Sequence, residues 1–530
     1  HLTFPLMAAT LLSSFGSSML YGYNLAVVNS PATHIKAFYN ATWSQRYGQG
    51  LTQGTLTLMY SLTVSVFALG GLVGSFPVGM LVTRYGRNGT LIRSNLLVFL
   101  AGVLMGLSRY VESPEMVIIG RFITGVHSGI CLSVVPMYLG EIAPKNLRGF
   151  LGLVPSIFIC LGVFSAQVLG LPELLGEDPY WPLFLSVVVV PAFLQFFLLH
   201  WFPDSPRYLL IEKDNIHGAT EVQIDLSNPS AHHSPKDGPG TESGHDDICR
   251  CSTLRCFLGK YDVESVIEEM REEQRSLASV KTVSVWHLLT DRSVRWQVIS
   301  VVVINMGMQL SGIDAIWFYT NVIFENAGIP DPEIPYTTVG TGAIEVVAGL
   351  IGCFTIEKLG RRPLIITGFV FMGICCSVIT MSLVLQTSVS WMRYVSVACV
   401  IGIIAGFCMG PAGVPFLMTA ELFKQSHRPS AYIVGGSLNW LSNFTVGFVF
   451  PFLQMSAGAF CYLVFCAICL LVALYVYLII PETKNKTFME ISHIFASRRS
   501  FCSRLPESVK MVMFNRYGAL ENSSLEYSSS

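Results

Sequence analysis

Long apolar runs alternate with short polar loops along nearly the whole chain. Runs long enough to cross hydrocarbon, which takes about 20 helical residues, fall at 5–28, 57–82, 90–108, 114–140, 150–172, 181–202, 295–322, 337–356, 363–384, 391–419, 430–454 and 459–480. The order is six runs, a polar stretch over 203–294, and six more runs. Lipid offers no partner to an unpaired backbone amide, so each run is expected to be helical. The pattern therefore predicts an all-α membrane protein of twelve transmembrane helices. The chain opens on His1 and reaches apolar sequence at once, so sequence upstream of it is expected. The first run, Leu6 to Val28, reads as a helix that stays and not as a cleavable signal peptide.

Lys and Arg in the short loops set the orientation. On one side lie Arg84, Arg87, Arg93, Lys145, Arg148, Lys358, Arg361, Arg362, Lys424 and Arg428, and on the other Lys36, Arg46, Arg109 and Arg393. Ten against four predicts that the first group and both termini are cytoplasmic, with 29–56 outside. That outer loop contains Asn40-Ala41-Thr42, a glycosylation sequon. The sequons at Asn88, Asn443, Asn485 and Asn522 fall in cytoplasmic or membrane sequence, where no glycan is added, so Asn40 is the expected acceptor.

Three signatures in the cytoplasmic loops occur twice. Arg84-Tyr85-Gly86-Arg87 answers to Lys358-Leu359-Gly360-Arg361-Arg362. Glu141 with Arg148, seven apart, answers to Glu421 with Arg428. Pro203-Asp204-Ser205-Pro206-Arg207 answers to Pro481-Glu482-Thr483-Lys484. The offsets are 274 (Gly86 to Gly360), 280 (Glu141 to Glu421) and 278 (Pro203 to Pro481). Ordinary loop punctuation accounts for the arginines but not for the paired glutamates or the shared order. A duplicated unit is expected, with a first six-helix half over 1–202, a loop over 203–294, a second half over 295–492 and a tail over 493–530. Halves related in this way carry their solute site at the interface near mid-bilayer. Arg87, Glu141, Arg148, Arg361, Arg362, Glu421 and Arg428 are expected to pair across the halves as a cytoplasmic latch when the inner face is shut. Such pairs must break in each cycle, and ion pairs of modest net worth suit that.

Composition agrees with a membrane protein. Of 530 residues 52% are hydrophobic and 13% charged, against roughly 25% charged in a typical soluble domain, and the mean hydropathy is +0.54. The net charge of −1 argues against a nucleic-acid partner. Most of the fourteen cysteines, including Cys131, Cys160, Cys353, Cys375, Cys376, Cys408, Cys466 and Cys469, lie inside apolar runs and read as packing residues. Residues 219–255 are polar and rich in Ser, Pro, Gly and His, a composition of disorder. A regulatory insert, an extra exon and an artefact of exon assignment all fit. The tail after 493 is also expected to be disordered. His232, His233, His245, Cys249, Cys251 and Cys256 fit no standard zinc spacing, so no metal is assigned. No cofactor and no catalytic residue is assigned, and no enzyme activity is expected. The partners expected are a small-molecule solute and membrane lipid, with no oligomer required.

The motifs carry a resemblance. Gly22-Tyr23-Asn24, Gly86-Arg87, Pro136-Met137-Tyr138-Leu139-Gly140-Glu141, Pro203-Asp204-Ser205-Pro206-Arg207, Gln309-Leu310-Ser311-Gly312, Gly360-Arg361-Arg362, Asn439-Trp440 and Pro481-Glu482-Thr483-Lys484 together resemble the facilitative glucose-transporter group of major-facilitator sugar transporters. The resemblance covers about residues 5–492 and implies the major facilitator fold, two six-helix halves and alternating access. Within the group the chain is similar to the branch holding the fructose and urate transporters. Asn305-Met306-Gly307 stands where glucose-selective members have Gln-Leu-Ser, and Phe416 where they have Trp. Phe416 and Ile316-Trp317-Phe318-Tyr319-Thr320-Asn321 lean toward the urate type.

By family position the expected substrate-binding residues are Gln167, Gln309, Asp314, Glu345, Trp440 and Asn443, with Phe416 as a ring wall. A sugar needs partners that both donate and accept, and amides do both. A lone amide in a span also serves helix–helix bonding. Asp314 and Glu345 stand where Asn is usual, Cys408 where Glu is frequent, Met308 where a second Gln is usual, and Thr83 where Asp is usual. Acids inside a membrane are costly and point to function.

The resemblance implies a passive uniporter of a hexose, fructose first, in the plasma membrane. A urate uniporter and a proton-coupled sugar symporter are the alternatives. Symporters of this kind tend to carry Asp where this chain has Asn24, while Asp314 and Glu345 keep the symporter open. A receptor would need long extra domains, and a channel a filter motif or charged ring that is absent from the sequence. An ionised Asp314 would repel the urate anion and not a hexose, and no Lys or Arg is expected inside the neighbouring spans to compensate. A protonated Asp314 would regain one donor and imitate Asn.

Overall fold

The protein is described by a computed structural model covering residues 3–144, 147–206, 208–209, 275, 283–424, 426–484, 486, 490–491 and 493–495; the side chains of 148–150 and 357 are outside the description. The expected insert 219–255 lies outside the described residues, as does the tail beyond 495. No strand occurs among the described residues. Ten continuous helical stretches are long and apolar enough to cross a membrane. One of them, Arg428–Ile479, contains two helices that turn at Gly458. The first span does not register as one such stretch because its helix changes pitch midway.

In chain order, span 1 comprises Phe4–Ser13, a π-helical turn Ser14–Ser18, and Met19–Ala26. Span 2 is Gln53–Ser75 continued past Pro77 by Val78–Tyr85, span 3 Arg87–Leu107, span 4 Pro114–Ile142, span 5 Arg148–Leu169, and span 6 Trp181–Ser186, Val189–Leu198 and Leu199–Trp201. In the second series span 7 is Arg295–Leu310 and Ile313–Asn326, span 8 Ile334–Leu359, and span 9 Arg361–Leu385. Span 10 is Met392–Met409 and Val414–Glu421, span 11 Arg428–Ala457, and span 12 Cys461–Ile479. Spans 7 and 10 are broken mid-way at glycines, span 7 at Ser311-Gly312 and span 10 at Gly410–Gly413. The polar segment after span 1, read from the sequence as a loop, contains a helix, Ala32–Tyr47.

Within the first half, spans 2 and 4 touch backbone to backbone. A Cβ added at Gly70 or Gly74 would strike the carbonyl of Phe122 or Val126, and one at Gly125 or Gly129 would strike that of Phe67 or Gly71. Small residues four apart on both helices are the device by which membrane helices approach closely.

The duplicated loop signatures build the same structure twice. Gly86 (φ 80°) and Gly360 (φ 91°) hold the left-handed conformation that glycine tolerates, and each turns the chain directly into the next helix. A carboxylate then caps that helix. Asp204 accepts from the amides of Arg87 (3.0 Å) and Asn88 (3.1 Å), and Glu482 from those of Arg361 (3.0 Å) and Arg362 (3.1 Å). The carboxylates occupy the space that a Cβ at Gly86 or Gly360 would need. Helix amides plus the positive end of the macrodipole make that position favourable for an anion. We term the end of the bundle bearing Gly86 and Gly360 the motif end, and the other the far end.

Candidate functional site

The expected site residues of the second half converge. Asp314, fully buried in span 7, accepts from Asn443 Nδ2 of span 11 at 3.0 Å. The Gln309 amide lies between Asn439 and Asp314, 2.9 Å from each. In one orientation Gln309 Nε2 donates to Asn439 Oδ1, and in the turned one its nitrogen donates to the Asp314 carboxylate instead. The two pieces of span 7 place these groups together. Gln309 lies in the last turn of the first helix, Gly312 (φ 96°) breaks it, and Asp314 sits in the first turn of the second. Glu345 of span 8 is buried and accepts from Trp317 Nε1 at 3.2 Å, and the Trp317 ring meets Phe407 edge-on at 5.5 Å.

Gln167 and Trp440 lie where the halves meet. Trp440 of span 11 presses edges against Tyr21 (5.8 Å) and Phe67 (6.2 Å) of the first half. It fits because Gly71 of span 2 has no side chain, since a Cβ there would overlap the indole. Gln167 of span 5 is buried against Gly342 of span 8, where a Cβ would collide with its amide oxygen. The oxygens Gln167 Oε1 and Asn443 Oδ1 have no hydrogen-bond partner among the described residues. A buried acceptor left so costs about 1–3 kcal/mol. Phe416 does not join this group. Its side chain is exposed, and its backbone oxygen accepts from Tyr432 at 3.4 Å.

Arg121 of span 4, a basic residue in the first half, is fully buried. Its guanidinium donates to the carbonyls of Asn24 (2.7 Å), Val64 (3.1 Å) and Thr63 (3.4 Å) and lies 4.8 Å from the Phe67 ring centre. Carbonyl dipoles and a π-face hold the charge in place of a carboxylate. Asn24 itself donates to the carbonyl of Leu20 at 2.9 Å. A basic residue well inside an apolar run was the signal available in the sequence.

The halves are also joined at the far end. Asn29 Nδ2 donates to Asn321 Oδ1 at 3.0 Å, the Asn321 amide donates back to Asn29 Oδ1 at 2.7 Å, and the Tyr336 hydroxyl donates to Glu173. At the motif end two Arg–Glu pairs lie within their own halves. Arg87 Nε donates to Glu141 at 3.1 Å and Arg361 Nε to Glu421 at 3.1 Å, so each pair joins helices of its own half. The reason is geometric. Each Arg opens the helix that packs beside the span ending in its Glu, and the hydroxyls of Ser205 and Thr483 hold the same carboxylates from the following segment. Arg362 donates to the Tyr477 carbonyl at 2.6 Å and Arg428 to that of Phe423 at 3.1 Å. The side chain of Arg148 lies outside the described residues. Asn40 is exposed on the helix Ala32–Tyr47, with its Oδ1 accepting from the Leu51 amide at 2.9 Å.

Comparison with known proteins gives the frame for this geometry. The family model described as "Sugar (and other) transporter" matches residues 9–243 and 253–495. "Solute carrier family 2, facilitated glucose transporter member 9" of Mus musculus is 48% identical over 496 residues, covering 94% of this chain and 86% of that protein. Member 5 of Homo sapiens is 43% identical over 511 residues, covering 96% of each. The inward-open conformation of the xylose transporter XylE from E. coli matches with a TM-score of 0.71 at 22% identity, over 92% of this chain and 99% of that one. At that identity the likeness shows the fold, which is that of the major facilitator sugar porters. The chain, a multi-pass membrane protein, belongs to the sugar (and other) transporter family, alongside members 5 and 9 of solute carrier family 2.

Proposed function

We propose that this protein carries a neutral hexose, fructose first, passively across the plasma membrane by alternating access of two halves, 1–202 and 295–492. The motif end and both termini face the cytoplasm, and Asn40 on the outer helix carries a glycan. Relatives whose names describe facilitated glucose transport, at 43–48% identity, support the class of activity.

One observation carries the substrate. Gln167 Oε1 in the first half and Asn443 Oδ1 in the second are buried acceptors without a donor among the described residues. Solute hydroxyls supply donors, and the Trp440 indole beside them supplies an apolar face for a sugar ring. Asp314 already takes the Asn443 amide, so a second anion is disfavoured there and urate ranks below hexose. Passive transport is favoured because Arg121 rests on carbonyls, with Asn24 beside it in place of an acid. Labelled fructose, glucose and urate uptake in one expression system, with and without an imposed inward proton gradient, tests all of this. Fructose equilibration without accumulation supports the reading. Urate carried faster than fructose, or accumulation abolished by a protonophore, rejects it.

A further inference from the structure

Spans 5, 8 and 10 meet at a cluster of two thiols and one carboxylate. The Sγ atoms of Cys160 (span 5) and Cys408 (span 10) and a carboxylate oxygen of Glu345 (span 8) lie within 4.8 Å of one another. The two thiols come from opposite halves, Cys160 from the first and Cys408 from the second. Trp317 Nε1 fixes the Glu345 carboxylate at 3.2 Å. Glycines keep the space clear. A Cβ at Gly349 would stand 3.0 Å from Cys160 Sγ, and one at Gly352 would strike the backbone of Cys408. Glu345 is buried while both thiols are half-buried, so the sulfurs form the approachable side.

We propose that Cys160, Glu345 and Cys408 bind a soft divalent cation of the zinc class, which ties the two halves together in the conformation seen here. Two sulfurs and a carboxylate oxygen are donors that Zn²⁺ takes. At its usual bond lengths a tetrahedral ion sets such donors roughly 3.5–4 Å apart, which the cluster reaches with small rotations. Sulfur selects against Mg²⁺ and Ca²⁺, which take oxygen. One thiolate and the Glu345 carboxylate neutralise a divalent charge, the condition a low-dielectric interior demands. The thiol proton leaves as the ion enters. Trp317 serves as the outer partner that orients an acidic ligand. Because Cys160 belongs to one half and Glu345 and Cys408 to the other, relative movement of the halves separates the ligands. The ion therefore binds this conformation more tightly than one in which the halves have shifted, and it moves the equilibrium toward it by that difference.

The test uses the full chain, purified under a phosphine reductant and reconstituted in vesicles, with Cd²⁺ as the probe. Two quantities are read: the ultraviolet thiolate-to-cadmium charge-transfer band, and labelled fructose uptake relative to the cadmium-free rate of the same variant. The band is independent of the transport reading, so failure of fructose as substrate leaves the binding result intact. Wild type should show the band, and both Cys160→Ser and Cys408→Ser should weaken it. Each should also raise the half-inhibitory Cd²⁺ concentration by on the order of tenfold or more. Two variants guard against one failing to fold. A band and an inhibition that persist unchanged in either folded variant would overturn the site, because binding would then lie on other cysteines.

Discussion

Asn443 donates its side-chain amide to the fully buried carboxylate of Asp314 at 3.0 Å, so an amide and an acid that both resemble site residues are already committed to each other. Replacing the acid by its isostere preserves the acceptor and removes the charge. Asp314→Asn is expected to keep fructose transport within about threefold of wild type, because the net worth of one retained hydrogen bond is about 1 kcal/mol or less of change. It should also flatten the pH dependence of transport. Asn443→Leu removes the donor and leaves the acid unsupported, and should lower transport by about tenfold or more. Equal loss in both variants would show that charge at Asp314 is itself required.

Gln167 is the amide contributed by the first half. Gln167→Leu should raise the fructose KM by about tenfold, the equivalent of roughly 1.4 kcal/mol, with normal surface expression. Gly342→Val places methyl groups where the Gln167 amide now lies, and should lower transport by a different route, since it separates spans 5 and 8. Uptake kinetics with surface-protein quantification distinguish the two. An unchanged KM in Gln167→Leu would remove this residue from the site.

The two Arg–Glu pairs predict a pattern of coupling. Arg361 and Glu421 are 12% and 25% exposed, so breaking the pair should cost about 1–3 kcal/mol, read as a lower midpoint of thermal unfolding in detergent. In a double-mutant cycle, Arg361→Ala and Glu421→Ala should couple strongly, whereas Arg87→Ala and Glu421→Ala should be additive within about 0.5 kcal/mol. Strong coupling between Arg87 and Glu421 would restore a latch that crosses the halves.

Arg121 offers a test of passivity. Asn24→Asp puts a titratable carboxylate beside a buried guanidinium, and transport should acquire a further pH dependence beyond that of wild type. Arg121→Leu strands the carbonyls of Asn24 and Val64 and should destabilise the first half by about 3 kcal/mol. Hydrogen exchange localised to span 1 and span 4 would report it. A wild-type protein that already accumulates fructose under a proton gradient would contradict the premise.

The spans were legible because lipid leaves the chain little choice. The ninth, expected over 363–384, runs Arg361–Leu385, and the twelfth, expected over 459–480, runs Cys461–Ile479. The breaks inside spans were not legible in the same way. Ser14–Ser18 is uncharged, with no proline to mark it, and Ser311-Gly312 looks like any glycine in an apolar run. The helix Ala32–Tyr47 was read as loop because its polar surface gives no membrane signal. Repeat offsets pointed to Arg361 and Glu421 as partners in function, but a list of charges does not say which half closes each pair. Arg121 was present in the fourth run and went unweighed, and the meeting of Cys160 with Glu345 and Cys408 depends on packing that no local pattern encodes.

The paired glycines of spans 2 and 4 have a mechanical consequence. With backbones in direct contact at Gly70, Gly74, Gly125 and Gly129, little side-chain volume remains between these helices to yield. A pair of rods seated in this way transmits rotation along its length without absorbing it. Tyr60, near the far end of span 2, must therefore travel opposite to Ser75, the motif-end limit of the same unbroken helix, whenever the half tilts about its middle. Loosening one doorway and tightening the other then become a single displacement, set by stiffness rather than by any signal passed between them.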